Sequence, residues 1–371
     1  MIKFPMSSEN ELLIFLKNQK FKKIFVLSGE KSLNLSGAKR ILNRALKKKI
    51  VRYYLKISPY PDFLEQKKII FSIRQFSPDI IVAVGGGSVL DYAKIANVLN
   101  LNQNLETQIK HSSYKIIKKF TKLLAIPTTA GSGAEVTSNA VIYINKVKYS
   151  IESEKLKPDY FFLIPKFISN CPKKIKSSAG FDVISQAIES LISRKSNTSS
   201  VNFAKKSLEI SLQYYLKSLK KNNYENNAAM SFAANLAGKA ISISKTTAPH
   251  AVSYPFSSFF NVSHGHAVSL TLNKFLKFNY ENIKKAKCNF DLKKRYDIIF
   301  SLTGCKNINQ LDEYLLKIKN FAGLESNLKK LGVDIKKDYA KILSGTNILR
   351  LSNNPIELKK GDLKFILLKN Y

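Results

Sequence analysis

Residues 79–94 read DIIVAVGGGSVLDYAK. From Ile80 to Val84 the run is apolar without alternation, the pattern of a strand buried on both faces of a parallel sheet. Three glycines follow, then a segment that reads as a helix to about Leu99. Strand, glycine turn and helix start together suit a phosphate. Without Cβ atoms, Gly85, Gly86 and Gly87 let the main chain close on a pyrophosphate, and the helix start offers free N–H groups and a partial positive charge. These glycines and Ser88 are expected to bind a cofactor. The turn is not GxGxxG, and no GK[ST] makes it a P-loop.

Outward from this turn the same alternation continues. Upstream, 23–27 reads as a strand with a turn at Ser28-Gly29-Glu30, 37–48 as a helix, 51–57 as a strand and 62–76 as a helix. Downstream, a strand at 123–126 runs into PTTAGSGAEVTSNAVI, residues 127–142. There Thr128, Thr129 and Ser132 offer hydroxyls to phosphate or ribose oxygens, and Gly131 and Gly133 permit close approach. A hairpin-like turn at Asn145–Lys148 and a strand at Tyr160–Ile164 complete this half. Strands alternating with helices predict a doubly wound α/β domain over 1–165.

The second half, 166–371, loses the strand pattern and reads as helical. Pro172 opens it, and Gly180-Phe181-Asp182 is expected to start a helix in GFDVISQAIES that places Asp182 and Gln186 at i, i+4 on one face. Glu189 is expected to cap or pair within the domain. Further helices are predicted over 198–219, 228–244 and 268–371, with a terminal segment at 361–369. Three of the four histidines lie in KTTAPHAVSYPFSSFFNVSHGH, 245–266. Neutral imidazoles ligate zinc and iron, so one metal held by Asp182, His250 and His264, with Gln186 beside it, is the expected centre. His266 is a candidate proton relay. His111 carries no assigned role.

Composition bounds the partners. The chain has 371 residues and a formal net charge of +35. Its cations are nearly all lysines, scattered or in pairs such as Lys118-Lys119. No focused arginine patch points to nucleic acid; a diffuse positive field instead attracts anionic small molecules. No apolar run is long enough to span a membrane. Cys171, Cys288 and Cys305 form no CxxC pair and read as reduced thiols of a cytoplasmic protein.

GGGSVLDYAK, AIPTTAGSGAEVT, the PDY…P stretch at 158–165, GFDVISQAIES and HAVSYPFSSFFNVSHG resemble, in this order, motifs of the iron-containing alcohol dehydrogenases. The resemblance spans roughly residues 20–280 and, more faintly, the tail. It implies a dinucleotide-binding α/β domain and an all-helical C-terminal domain, the build shared with dehydroquinate synthases. It also implies a metal and active site in the cleft between them, and hydride transfer between NAD(P)H and a metal-bound carbonyl. Asp91 is then expected at the nicotinamide end, Ser28 beside the cofactor, and a homodimer as the assembly. Two positions depart from the family pattern. Gln186 stands where a histidine ligand is usual, and Tyr254 where a further histidine is usual. With AGKAISISKTTAPHAVSY and SHGHAV, both departures resemble the branch that reduces phosphonoacetaldehyde to 2-hydroxyethylphosphonate. On that reading the metal is Fe2+ or Zn2+, and Lys245, Thr246 and Thr247 bind the phosphonate. Tyr254 or His266 passes the proton. After the first strand Glu30 suits NADH, whereas Lys31 and Ser32 suit the 2′-phosphate of NADPH, which is favoured. Competing readings are a general alcohol dehydrogenase of the family, a related lyase, and a family member that binds nucleotide without catalysis.

Overall fold

A computed structural model describes residues 4–346 and 348–368. The chain forms two compact units, one of Met1–Pro172 with Asn222–Asn235, the other of Lys173–Lys221 with Leu236–Tyr371.

The first unit is built on a parallel sheet. Its strands are β1 (Lys23–Gly29), β2 (Ile50–Lys56), β3 (Ile80–Gly85), β4 (Lys122–Pro127) and, after the antiparallel hairpin β5 (Asn139–Ile144) and β6 (Val147–Glu152), β7 (Tyr160–Phe161). The order is β2-β1-β3-β4-β7. Side chains alternate across it: Phe25, Leu27, Ile81, Ala83, Leu123 and Ala125 enter one core, Ile24, Val26, Ile80, Val82, Leu124 and Ile126 the other. Helix Ala38–Ala45, which follows β1, packs on the second face, and helix Gly87–Ala96, which follows β3, on the first. The winding therefore reverses between β1 and β3. That is the switch point where open α/β sheets bind ligands, beyond the carboxyl ends of the strands. The glycine turn lies there because β3 does.

Two sequence expectations shift. The strand expected over Tyr160–Ile164 pairs with β4 only at Tyr160 and Phe161, because Pro165 already occupies the first turn of helix Pro165–Ser169. The hairpin turn falls on Asn145 and Lys146, both left-handed at φ 51° and 66°, the twist a two-residue turn needs.

The second unit is helical throughout its described residues. Helix Lys173–Ile192 starts seven residues before Gly180, so Asp182 sits in its interior, not in its first turn. A mid-helix glycine costs about 1 kcal/mol, and the continuous burial of the following face offsets it. Helices Thr198–Lys220 and His264–Glu281 pack on it, and helix Ala248–Phe260 packs on His264–Glu281. The helix expected from 228 begins at Tyr224, and that expected from 268 begins at His264. The terminal segment is helix Lys360–Leu368; Lys369 lies outside the described residues. Among these, no helix is long and apolar enough to cross a membrane.

Candidate functional site

Helix Lys173–Ile192 carries Asp182, Gln186 and Glu189 at i, i+4 and i+7, all buried. Pro249 in the first turn starts helix Ala248–Phe260 and places His250 in the same turn. His264 is the first residue of the next helix. The ligand atoms of Asp182, His250 and His264 lie within 4.8 Å of one another, the one such group among the described residues. Asp182 Oδ1 is 3.2 Å from His250 Nε2 and 3.9 Å from His264 Nε2. His264 is the open side of the group, with 36% of its side chain exposed.

Gln186 gives the test of whether a metal fits. Its Nε2 donates to Asp182 Oδ2 at 2.8 Å. That turns Oε1 into the interior, where no donor meets it. A buried acceptor left unpaired costs roughly 1–3 kcal/mol, and a cation or its bound water removes that cost. Two imidazoles, a carboxylate and an amide oxygen suit zinc or ferrous iron. Charge agrees. Burial pulls the His250 imidazole down, but the Glu189 and Asp182 carboxylates outweigh it and hold it at about 9. The site attracts positive charge.

Glu189, expected to cap or pair within the domain, pairs with the segment that carries His250. Its carboxylate accepts from Thr247 N at 2.9 Å, Thr247 Oγ1 at 3.0 Å and His250 N at 3.3 Å, and it contacts His250 Nδ1. The available signal was its i+7 spacing from Asp182, which puts both on one face. Thr247 therefore faces inward. Thr246 is also buried and bonds to Tyr254, while its carbonyl accepts from Asn353 Nδ2 at 3.2 Å. Lys245 is half-buried and left-handed, with φ 60°. The Tyr254 ring stacks on His264 at 5.9 Å. Burial pushes its phenol up to about 12, opposed by Arg350, so the hydroxyl keeps its proton. His266 lies outside the group of three. Its Nε2 donates to the Glu325 carbonyl at 2.7 Å, its backbone N–H to Ser178 Oγ at 3.1 Å, and burial pulls its pKa down.

In the first unit the expected cofactor residues gather at the switch point. A Cβ on Gly87 would lie 2.7 Å from Ser132 Oγ, and one on Gly86 3.2 Å from Thr129 Oγ1. Thr128 N donates to the Gly85 carbonyl at 3.0 Å. The glycine turn and the loop after β4 thus touch, while Gly86, Gly87, Ser88, Thr129 and Ser132 stay half-exposed. Ser28 is buried, and its hydroxyl donates to the Val84 carbonyl at 2.6 Å, joining the ends of β1 and β3. Glu30 and Lys31 are exposed, and the Ser32 hydroxyl donates to the Gly29 carbonyl at 2.9 Å. Asp91 Oδ2 accepts from Val141 N at 3.2 Å. Burial pushes its carboxyl up to about 6 against the pull of Lys94 and Lys148. Lys94, unforeseen in the sequence, is buried and donates to the Ala134 carbonyl, Thr137 Oγ1 and the Asn139 carbonyl at 3.0, 2.7 and 2.5 Å. It pins the loop after β4. Its signal was a lone cation inside an apolar helix.

Comparison with known proteins agrees with this architecture. The family profile described as iron-containing alcohol dehydrogenase matches residues 2–165. The profile of the C-terminal region of the Fe-containing alcohol dehydrogenase family matches residues 176–371. The aldehyde-alcohol dehydrogenase 2 of Entamoeba histolytica is 25% identical over 327 residues, 84% of this chain and 36% of that protein. The 4-hydroxybutyrate dehydrogenase of Clostridium kluyveri is 32% identical over 212 residues, 56% of each chain. The chain thus spans less than two thirds of the length of either relative. Among solved structures, the sulfoacetaldehyde reductase of Bifidobacterium kashiwanohense in complex with NAD+ shares the fold, with a TM-score of 0.84 at 24% identity over 99% of this chain and 97% of that one. Since the two profiles together take in nearly the whole sequence, this chain belongs to the iron-containing alcohol dehydrogenase family.

Proposed function

We propose that this protein reduces a small anionic aldehyde to the primary alcohol, phosphonoacetaldehyde to 2-hydroxyethylphosphonate in particular, with NADPH or NADH and one divalent metal, Fe2+ or Zn2+. The observation that carries the proposal is the group Asp182, His250 and His264 with the unpaired Gln186 Oε1 beside it. When bound, the metal supplies Lewis-acid polarisation of a carbonyl and the dinucleotide supplies a hydride.

The chain's own residues do the rest. Asp182, His250 and His264 would hold the metal, with the Gln186 amide oxygen beside them. The turn Gly85–Gly87 and the hydroxyls of Thr128, Thr129 and Ser132 hold the pyrophosphate and ribose. Tyr254, its phenol protonated beside His264, is the proton donor to the product oxygen. His266, held on the Glu325 carbonyl, supports rather than delivers. Lys245, in the left-handed turn just before Thr246 and Thr247, meets the anionic end. That narrower clamp favours, as a second reading, a reductase of anionic aldehydes beyond phosphonates. The relative named for 4-hydroxybutyrate supports it, because that compound carries a carboxylate. The enzyme acts in the cytoplasm as a homodimer.

The test is oxidation of NADPH and NADH by metal-reconstituted protein with phosphonoacetaldehyde, sulfoacetaldehyde, succinate semialdehyde and propanal. The proposal expects the highest kcat/KM with phosphonoacetaldehyde. A Lys245→Ala variant should raise KM for the anionic aldehydes by ~10-fold, the loss of one charge-assisted contact, and spare propanal. Faster turnover of propanal, or equal effects of the variant on all four, refutes the anion specificity. Absence of turnover with every aldehyde refutes the reductase reading.

A further inference from the structure

The Glu189 carboxylate gathers four donors from one segment: the backbone N–H groups of Thr247 and His250, the Thr247 hydroxyl and the His250 ring at Nδ1. Glu189 is fully buried and offers no route to solvent. An imidazole ligates a metal through the nitrogen that lacks a proton, and a hydrogen bond at the other nitrogen decides which one that is. A carboxylate only accepts. Its contact at Nδ1 therefore keeps a proton there, so that Nε2, which faces Asp182 and not Glu189, is the nitrogen a metal would take. Nε2 is the nitrogen that lies 3.2 Å from Asp182 Oδ1, inside the group of three.

The same carboxylate secures the start of helix Ala248–Phe260. Thr247 is the N-cap of that helix, yet its hydroxyl makes no cap to it, because it donates to Glu189 instead. The first-turn N–H of His250, which a capping side chain would ordinarily satisfy, also goes to Glu189. Helix entry and ring orientation are thus set by one group.

We infer that Glu189 is a positioning residue of the metal centre: it fixes His250 as the Nδ1–H tautomer and aims Nε2 at the metal. The inference rests on the reading of Asp182, His250 and His264 as ligands. It explains why a carboxylate stands there. An amide of nearly equal shape would present an N–H to Nδ1, shift the ring proton to Nε2 and block ligation. It also accounts for a third polar residue on the helix face that carries Asp182 and Gln186.

The test measures Zn2+ affinity by chelator competition, alongside melting of the metal-free protein, for wild type, Glu189→Gln, Glu189→Asp and Asp182→Ala. Loss of a partner that orients a ligand typically costs ~10–100-fold in metal affinity. That fall is expected for Glu189→Gln, with little change in metal-free melting and partial recovery in Glu189→Asp. A Glu189→Gln protein that melts earlier yet binds Zn2+ as tightly as wild type overturns the positioning role and leaves the metal site standing. An Asp182→Ala protein that binds as tightly as wild type overturns the metal reading, and this inference with it. If Glu189→Gln does not fold, Glu189→Asp decides: unchanged affinity there refutes the role, and weakened affinity at unchanged melting supports it.

Discussion

At the scale of single residues, the chemistry turns on Gln186 and Asp91. Gln186 brings an amide oxygen beside Asp182, and a neutral oxygen is a weaker donor to zinc or ferrous iron than an imidazole nitrogen. Gln186→His is expected to tighten Zn2+ binding by ~10-fold or more, as one added nitrogen ligand implies, read by chelator competition. Unchanged affinity would place residue 186 away from the metal. Asp91 shows a different tension. Its carboxyl, raised by burial from 3.8 to about 6, is harder to ionise in the folded than in the unfolded chain. The sign follows: the folded state holds the proton more tightly, so stability falls as pH rises from about 4 to about 6, and the loss is complete above that. Asp91→Asn should therefore stabilise the protein by up to about 3 kcal/mol at pH 8 and by less at pH 5. Urea unfolding at the two pH values checks this; an equal gain at both would show that Asp91 is not ionised at the expense of stability. An acid kept in a destabilising place accords with a role at the cofactor.

At the scale of elements, the metal group depends on how closely two helices approach. A Cβ on Gly265 would lie 2.0 Å from the Ser178 carbonyl oxygen and 2.8 Å from Asp182 Cβ. Helix His264–Glu281 thus meets helix Lys173–Ile192 at a distance that only glycine allows, and the contact holds His264 near Asp182. Gly265→Ala should destabilise the protein by about 1–3 kcal/mol, the usual cost of overpacking, and weaken Zn2+ binding as well. Gly361→Ala, where a Cβ would meet nothing within 4 Å, is the control. Thermal unfolding and Zn2+ titration of both variants decide it, and indistinguishable results would refute the close approach. In the first unit the corresponding device is Lys94, whose three hydrogen bonds hold the loop after β4 beside the glycine turn.

At the scale of the whole molecule, the net charge of +35 acts on association more than on fold. Its lysines are dispersed, so its effect is a field rather than a docking patch. Salt screens such a field over about 10 Å at 0.1 M. The KM for dinucleotide and for an anionic aldehyde should therefore rise severalfold between about 0.05 and about 0.5 M salt, while that for propanal stays level. Steady-state kinetics across that range test it. A salt effect as large for propanal would point to the protein's conformation and not to steering.

Much of the local architecture was written in the sequence. The unbroken apolar run before Gly85, the glycine turn, the helix after it and the i, i+4 placement of Asp182 and Gln186 all follow from side-chain periods and from backbone freedom at glycine, which depend on near neighbours only. The residues Asp182, His250 and His264 were legible because their types are few and their chemistry narrow. The role of Glu189 was not. Its spacing from Asp182 placed it on the same helix face, but its partner His250 lies 61 residues away, and no local pattern names that partner. The inward turn of Thr246 and Thr247, the hold of the Glu325 carbonyl on His266 and the interior place of Asp182 in its helix were decided in the same way. Each depends on which distant groups share a buried space, where every donor must find an acceptor, and that pairing exists only once the helices have packed.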